Sequence, residues 1–562
     1  MPLPVHRAEP APVPDTATQV MVAMRDGVRL ATDLYLPSGR EGLPSGRDGR
    51  LPAALVRLPY DKNSRYVFMD RIAAYLTARG YAVVVQDVRG KFRSEGETAP
   101  FVHEADDGYD TIDWIVRQEW SDGRVGMFGD SYYGATQWAA ASAGHPALKA
   151  IAPRVTGADG IRPDYWERDG VTQLFGALYY AAYWTDRWVY EFEPDLSRRP
   201  LIEAMTEITE GIGARPVMWD SFVPEVKAVP AFPHGHPFDG PPLPVLHQAG
   251  WFDNCLQPSI NDWAELSSRP GWAPLQYLHA DSIDHENYHL DDAPVPPELD
   301  HAHVDAAVDR LLPRHLGPLV EFFDVFVKGE GTPERLPRVR WHQGHLGDRT
   351  ADSWPPAGAR TLRLHLDGGG GGLWPDAPAG EAAVSWVHDP SDLVPSLVPD
   401  SFSALRDHVD ESPLYDRADV LTFTADPVTE PLDLAGPVRA TLTVGTDGPG
   451  AHVYLKLLDV SPDGAAHVLV RGQRLIPGGA PAPVTFDLTH TGYRLRPGHA
   501  LRLHVASSDF PMYVPHPGTE ENEWLAADGR TTTQILRTGG EHASHLSLTV
   551  VALTVVDAVS PS

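Results

Sequence analysis

A chain of 562 residues is too long for one hydrophobic core, so two or three domains are expected. Hydrophobic residues at 42% and charged residues at 22% place it among globular proteins rather than disordered or fibrous ones. Its 46 Lys and Arg against 76 Asp and Glu leave a net charge of −30, which disfavours nucleic acid and anionic membranes as partners.

The single cysteine, Cys255, leaves no intramolecular disulfide and no cysteine-based metal site in prospect. No apolar run approaches a membrane span, and the first twenty residues read as a loose leader rather than a signal peptide. A soluble cytoplasmic protein is the expectation.

Gln19 to Leu36 alternates apolar and polar residues around Asp26-Gly27, a hairpin signature. "AALVRLPY" (53–60) and "YAVVVQDVRG" (81–90) are short β-branched runs that end in turn residues. Between them, 64–80 has helical spacing and stops at Gly80, and 106–120 is a second helix. "GRVGMFGDS" follows as a strand, then a helix from Ala135, then a strand at 149–155. Such alternation predicts a parallel sheet covered on both faces.

From about 157 to 240 the pattern turns aromatic-rich and helical, as an insertion would. Strands return with "PVLHQAG" and "PLQYLHA", and 310–331 reads as a closing helix. After about 355, "TLRLHLD", "VRATLTVGTDG", "HVYLKLLDVSPDG", "ALRLHVASSDF" and "HLSLTVVALTVV" alternate between Gly, Pro and Asp turns. That predicts an all-β sandwich with an exposed face that could support a homodimer. The glycine run at 368–372 reads as a turn rather than a phosphate loop, and no cofactor is expected. The divisions are thus an α/β domain at 1–144 and 241–354, a helical cap at 145–240, and a β domain at 355–562.

The chemistry centres on Gly129-Asp130-Ser131-Tyr132-Tyr133-Gly134. A serine on a sharp strand-to-helix bend projects its hydroxyl above the strand's carboxyl end, and the next amide, of Tyr132, faces a developing oxyanion. The second glycine falls three residues after the serine rather than two. A serine hydroxyl needs a base and an orienting carboxylate, which α/β-hydrolases supply in the order Ser, acid, His. Asp253 and His285 each follow a strand, in that order. His289 is the rival base, while His247 and His279 read as core or strand-end residues. Asp281, Asp284, His285, His289 and Asp291 also invite a metal reading, but their spacing matches no named motif, and no metal is expected.

Through these residues the chain resembles the cocaine esterase and X-Pro dipeptidyl peptidase (CocE/NonD) family of serine hydrolases. The segments that carry the resemblance are "RLPYDK" (57–62), "VQDVRGKFRSEGE" (85–97), "GRVGMFGDSYYG" (123–134), "AGWFDN" (249–254) and "WPPAGARTLRLHLD" (354–367). "DVLTFTADPV" (419–428), "KLLDVSPDG" (456–464) and "SSDFP" (507–511) continue it. The resemblance implies an α/β-hydrolase domain with an inserted helical cap, followed by a jelly-roll β domain. It also implies Ser131 as nucleophile, Asp253 as triad acid, His285 as base, and the Tyr60 hydroxyl beside the Tyr132 amide as oxyanion donors. Asp87 and Arg89 match a segment read as structural. The chain departs from the family at Asp281-Ser282-Ile283, where Gly-Pro-Trp usually precedes the base. A carboxylate there would raise the imidazole pKa or meet a substrate ammonium.

The reaction read from this set is hydrolysis of a small-molecule ester or amide through an acyl-enzyme. Tyr165, Trp166, Phe175, Tyr179 and Tyr180 of the cap are candidates for an apolar pocket. An acyltransferase with the same triad, an X-Pro dipeptidyl peptidase or amino-acid ester hydrolase, and a non-catalytic binding protein stand as alternatives.

Overall fold

The computed structural model describes residues 9–37, 49–158, 167–174, 176, 183, 194–212, 219–221, 223–224, 227, 231–398, 400–540 and 543–553. Its first layer is a ten-stranded sheet in the order β1-β2-β4-β3-β5-β6-β7-β8-β9-β10. The strands are β1 (Thr18–Ala23), β2 (Arg29–Tyr35), β3 (Leu51–Leu58), β4 (Ala82–Asp87) and β5 (Ser121–Asp130). They continue with β6 (Leu148–Arg154), β7 (Val245–Gly250), β8 (Gln276–Asp281), β9 (Val339–Gln343) and β10 (Gly347–Ala351). From β4 to β9 every neighbouring pair is parallel. The flanking pairs, β1–β2, β2–β4 and β9–β10, are antiparallel.

Period-two alternation sends successive residues of one strand to opposite faces. In β3, Ala54, Val56 and Leu58 pack in one buried cluster with α1 (Met69–Thr77) and α6 (Asp305–Phe323). Ala53 and Leu55 pack in another with α2 (Glu104–Val116), α3 (Ser131–Ala143) and α5 (Leu256–Ser268). The sheet is therefore covered on both sides, as its apolar runs require.

In the insertion, the described residues include α4 (Ile202–Ile212) and a two-residue ladder, Glu167–Arg168 with Val171–Thr172. Met205 and Ile208 of α4 pack with Trp219, and with Val514 and Trp524 of the C-terminal part. Strand β6 lies inside the central sheet, so an insertion counted from 145 would include one of its strands.

The C-terminal part contains β11 (Arg360–Asp367), β12 (Gly372–Trp374), β13 (Ala382–His388) and β14 (Leu421–Thr424). Two long bent strands follow, β15 (Leu432–Val460) and β16 (Ala466–Leu495). The last are β17 (Ala500–Ala506), β18 (Thr532–Thr538) and β19 (His545–Val551). Strand β15 pairs with both β17 and β19, which closes β15-β17-β14-β12-β11-β19 into a six-membered ring. The architecture is an α/β-hydrolase domain with helical insertions and a C-terminal jelly-roll β domain. No helix among the described residues is long and apolar enough to cross a membrane.

Two boundaries differ from expectation. Helix α3 begins at Ser131 rather than Ala135, because the elbow serine itself opens the first turn. The closing helix begins at Asp305 rather than Arg310, and ends in a π-turn at Asp324–Lys328.

Candidate active site

In an open parallel sheet, functional loops gather beyond the carboxyl ends of the strands. Ser131 follows β5, Asp253 follows β7, His285 follows β8 and Tyr60 follows β3. All four therefore emerge on the same edge.

Ser131 has φ +51°, the left-handed region that a non-glycine residue rarely adopts. The preceding Asp130 is extended, so the chain reverses sharply from strand to helix. Gln137 fixes the bend by donating to the Gly129 carbonyl at 3.1 Å and accepting from the Ala152 amide at 2.9 Å. Gly134 is required by close packing: a Cβ there would lie 2.3 Å from Thr156 Cγ2. That contact accounts for the glycine three residues after the serine.

Asp253 and His285 are brought together by their backbones. Gly250 and Asp281 are register partners, and the Trp251 amide donates to the Asp281 carbonyl at 2.9 Å. The Phe252 amide then donates to the Ile283 carbonyl at 3.0 Å. A Cβ on Gly250 would sit 2.6 Å from that Ile283 oxygen, so only glycine lets the two loops close. Beyond this zipper, His285 Nδ1 lies 2.7 Å from Asp253 Oδ1, with both side chains buried.

Burial disfavours the charged form of His285, but Cys255 and Asp253 outweigh it and hold the imidazole pKa well above its ordinary range. Phe402, from the C-terminal domain, lies over the same ring at 4.7 Å between centroids. The Glu286 amide donates to the Phe402 carbonyl at 3.2 Å, tying that domain to the loop that carries His285. Burial pushes the Glu286 carboxyl up to about 7, and the Tyr66 hydroxyl donates to it at 3.0 Å.

Tyr60 is buried edge-on between Tyr66 and Tyr133, with centroids at 5.8 and 6.0 Å. Lys62, two positions on, is anchored by Asp87: its amide donates at 3.0 Å and its ammonium at 2.8 Å. Asp87 thus fixes the Tyr60 loop, while Arg89 pairs with Asp107 at 2.6 Å. The Tyr132 ring stacks between Phe101 and Tyr183, and its hydroxyl donates to Glu104 at 2.9 Å. With the ring held, the Tyr132 amide is fixed in the first turn of α3.

Asp281 is held by partners other than the His285 imidazole that the sequence suggested. It accepts from Arg314 Nε at 3.0 Å, from His289 Nε2 at 3.2 Å and from the Ser282 amide at 2.8 Å. Both ring nitrogens of His289 are engaged, Nε2 with Asp281 and Nδ1 as acceptor from the Asp291 amide at 3.0 Å. Asp284 accepts the Tyr288 and Leu405 amides, each at 2.9 Å, and serves as a brace to the C-terminal domain. His247 is a buried core residue, 2.8 Å from the Gln276 side chain, with its pKa pushed down to about 4 by burial. His279 is likewise buried, and its pKa falls to about 3.

A cavity of about 460 Å³ opens beside Asp253, between the sheet edge and the β domain. Trp251, Phe252, Leu256, Met512 and Tyr513 supply its apolar walls. The cap residues Tyr165, Trp166, Phe175, Tyr179 and Tyr180 lie outside the described residues.

Residues 26–287 match the model of the X-Pro dipeptidyl-peptidase (S15 family), and 330–547 that of the X-Pro dipeptidyl-peptidase C-terminal non-catalytic domain. Cocaine esterase of Rhodococcus sp. (strain MB1 Bresler) is 31% identical over 594 residues, covering 95% of this chain and 98% of that one.

The chain belongs to the CocE/NonD family of serine hydrolases.

CocE/NonD membership makes it an enzyme of small-molecule ester and amide bonds. A solved α-amino acid ester hydrolase superposes with a TM-score of 0.80 at 26% identity, covering 97% of this chain and 98% of that one. An aminopeptidase from a marine-sediment Thaumarchaeota archaeon shares the fold, with a TM-score of 0.78 at 23% identity and 96% of each chain covered.

Proposed function

We propose that Ser131, His285 and Asp253 act as nucleophile, base and orienting acid in hydrolysis of a small-molecule ester or amide. Ser131 Oγ attacks the carbonyl carbon as His285 takes its proton, and Asp253 holds the imidazole through Nδ1. The Tyr132 amide and the Tyr60 hydroxyl donate to the tetrahedral oxyanion, each contributing roughly 3 kcal/mol of transition-state stabilisation. His285 returns the proton to the leaving group, then activates the water that releases the acid from Ser131.

The observation that carries this reading is the 2.7 Å His285–Asp253 pair on the strand edge that also bears the left-handed Ser131. The Arg314 partnership of Asp281 removes one carboxylate that a substrate ammonium could have used, which favours simple esters and amides over X-Pro peptides. The reading places the catalytic residues on the α/β domain, with a pocket completed by the cap and the β domain. A fluorophosphonate probe should modify the protein once, at Ser131, and a screen of short-chain esters, aminoacyl esters and X-Pro amides should rank the first group highest. Labelling elsewhere, or preference for X-Pro amides, rejects the assignment. Product analysis with added amine or alcohol separates hydrolysis from acyl transfer.

A further inference from the structure

Two groups of potential ligand atoms occur among the described residues: Asp253 with Cys255 and His285, and Asp281 with His289 and His342. In the second group the donors are spoken for. Arg314 and His289 hold Asp281, the Asp291 amide donates to His289 Nδ1 at 3.0 Å, and His342 Nδ1 lies 2.8 Å from the Ser282 hydroxyl. A guanidinium 3.0 Å from the only carboxylate of that group also repels a cation.

The first group matches the second in spacing and burial, and its imidazole is hydrogen-bonded to both Asp253 and Cys255, but no guanidinium pairs with its carboxylate among the described residues. Its carboxylate, imidazole and thiol donors lie within 4.8 Å of one another, and all three residues are buried. A tetrahedral Zn²⁺ binds such donors at about 2.0 Å to nitrogen and oxygen and about 2.3 Å to sulfur, so the 2.7 Å pair of His285 and Asp253 would open to admit it. Asp253 Oδ1 is paired with His285, but the second oxygen, Oδ2, is buried without a hydrogen-bond partner among the described residues. Cys255 also sits at the N-cap of the thirteen-residue helix α5, where the helix dipole favours the thiolate that binds a metal.

The cavity beside the cluster carries the carboxylates of Glu167, Asp169, Asp262 and Glu265 together with the guanidinium groups of Arg168 and Arg471, so its lining holds an excess of negative charge. The sequence alone excluded a cysteine-based site because only one cysteine exists. The fold supplies the other two donors from the triad itself.

We propose that Cys255, Asp253 and His285 form a binding site for a thiophilic divalent cation such as Zn²⁺ or Cd²⁺, and that occupancy silences the hydrolase. The proposal rests on the triad assignment above. A metal on the imidazole removes the lone pair that accepts the Ser131 proton, and metal on the carboxylate frees the ring from its orienting partner. Binding expels the thiol proton to solvent, so inhibition strengthens as pH rises.

The test uses the full chain stripped of metal with a chelator. Ester turnover is titrated with Zn²⁺ for wild type, Cys255→Ser and Cys255→Ala, each scored against its own metal-free rate. Half-inhibition should need roughly tenfold or more Zn²⁺ once the thiolate is lost, since soft sulfur is the strongest donor present for this ion. In parallel, Co²⁺ is added to Ser131→Ala, which requires no turnover. One equivalent should produce a thiolate-to-cobalt charge-transfer band, absent when Cys255 is also replaced. Equal Zn²⁺ sensitivity in all three proteins, or no sulfur-dependent cobalt band, overturns the proposal. The cobalt band is read whether or not Ser131 is the nucleophile, so failure of that assignment is separable from failure of this one.

Discussion

Asn287 Nδ2 donates to Asp130 Oδ2 at 3.2 Å, and this bond joins the loop that carries His285 to the residue before Ser131. Arg154 Nε donates to the other side of the same amide, Asn287 Oδ1, at 2.9 Å, so a single side chain is clamped between β5 and β6. The Ser131 bend and the His285 loop are thus linked through one buried amide. Asn287→Leu should lower kcat/KM for a nitrophenyl ester by roughly 100-fold, the scale expected of a small misplacement of reacting groups. The circular dichroism spectrum should stay that of wild type. Unaltered kinetics would show that the loop is held by other means.

Tyr60 offers a hydroxyl without any charge or general-base role. Tyr60→Phe should reduce kcat by about 100-fold, the cost of losing one oxyanion donor, with little change in KM. A rise in KM at constant kcat would instead make Tyr60 a substrate-binding residue.

The Lys62–Asp87 pair has both side chains fully buried, with Asp33 a further 3.6 Å from the ammonium. Lys62→Met strands two carboxylates and should cost about 3–5 kcal/mol in denaturant unfolding. Adding Asp87→Leu should restore part of that loss, because the uncompensated charge goes with it. If the double variant is no more stable than the single one, the cost lies in packing rather than charge.

Lys456 and Asp509 belong to two segments that carried the family resemblance. Their carboxylate and ammonium lie 3.2 Å apart, Glu411 is 2.9 Å from the same lysine, and the Ser396 hydroxyl donates to Asp509 at 2.7 Å. Burial raises the Asp509 pKa, but Lys456, Arg471 and Ser396 outweigh it, so the pKa falls below the ordinary value of 3.8. A depressed folded-state pKa gives stability that is complete above the unfolded value and is lost as pH falls through the folded one. Below pH of about 4, Tm should therefore drop more steeply for wild type than for Asp509→Asn. Parallel slopes would remove Asp509 from the account of acid stability.

The sheet was legible because each parallel strand is a short β-branched run ended by turn residues, as at 53–58 and 82–87. The chain order of Ser131, Asp253 and His285 was legible because each follows such a run. Contacts between distant segments left no local signal. Nothing around 402 marks Phe402 as the cover of a histidine more than a hundred residues earlier, and nothing around 287 points to Asp130.

Cys255 illustrates the same limit. A single cysteine spells no motif, and its place beside His285 follows from the backbone zipper between the β7 and β8 loops. Asp281 shows the reverse: proximity in sequence to the base suggested an electrostatic role, but the strand end turns its carboxylate to Arg314. In the β domain, alternation identified strand character, while the bending of Leu432–Val460 and Ala466–Leu495 around a closed ring depends on bulges and long-range pairing.

Turnover of a short-chain nitrophenyl ester by Ser131→Ala, set against wild type at equal folded concentration, addresses the central claim most directly. Loss of the nucleophile should lower kcat by about 10⁴-fold or more, leaving only what binding and the oxyanion donors supply. Turnover at the wild-type rate would mean that the acyl group never passes through that hydroxyl.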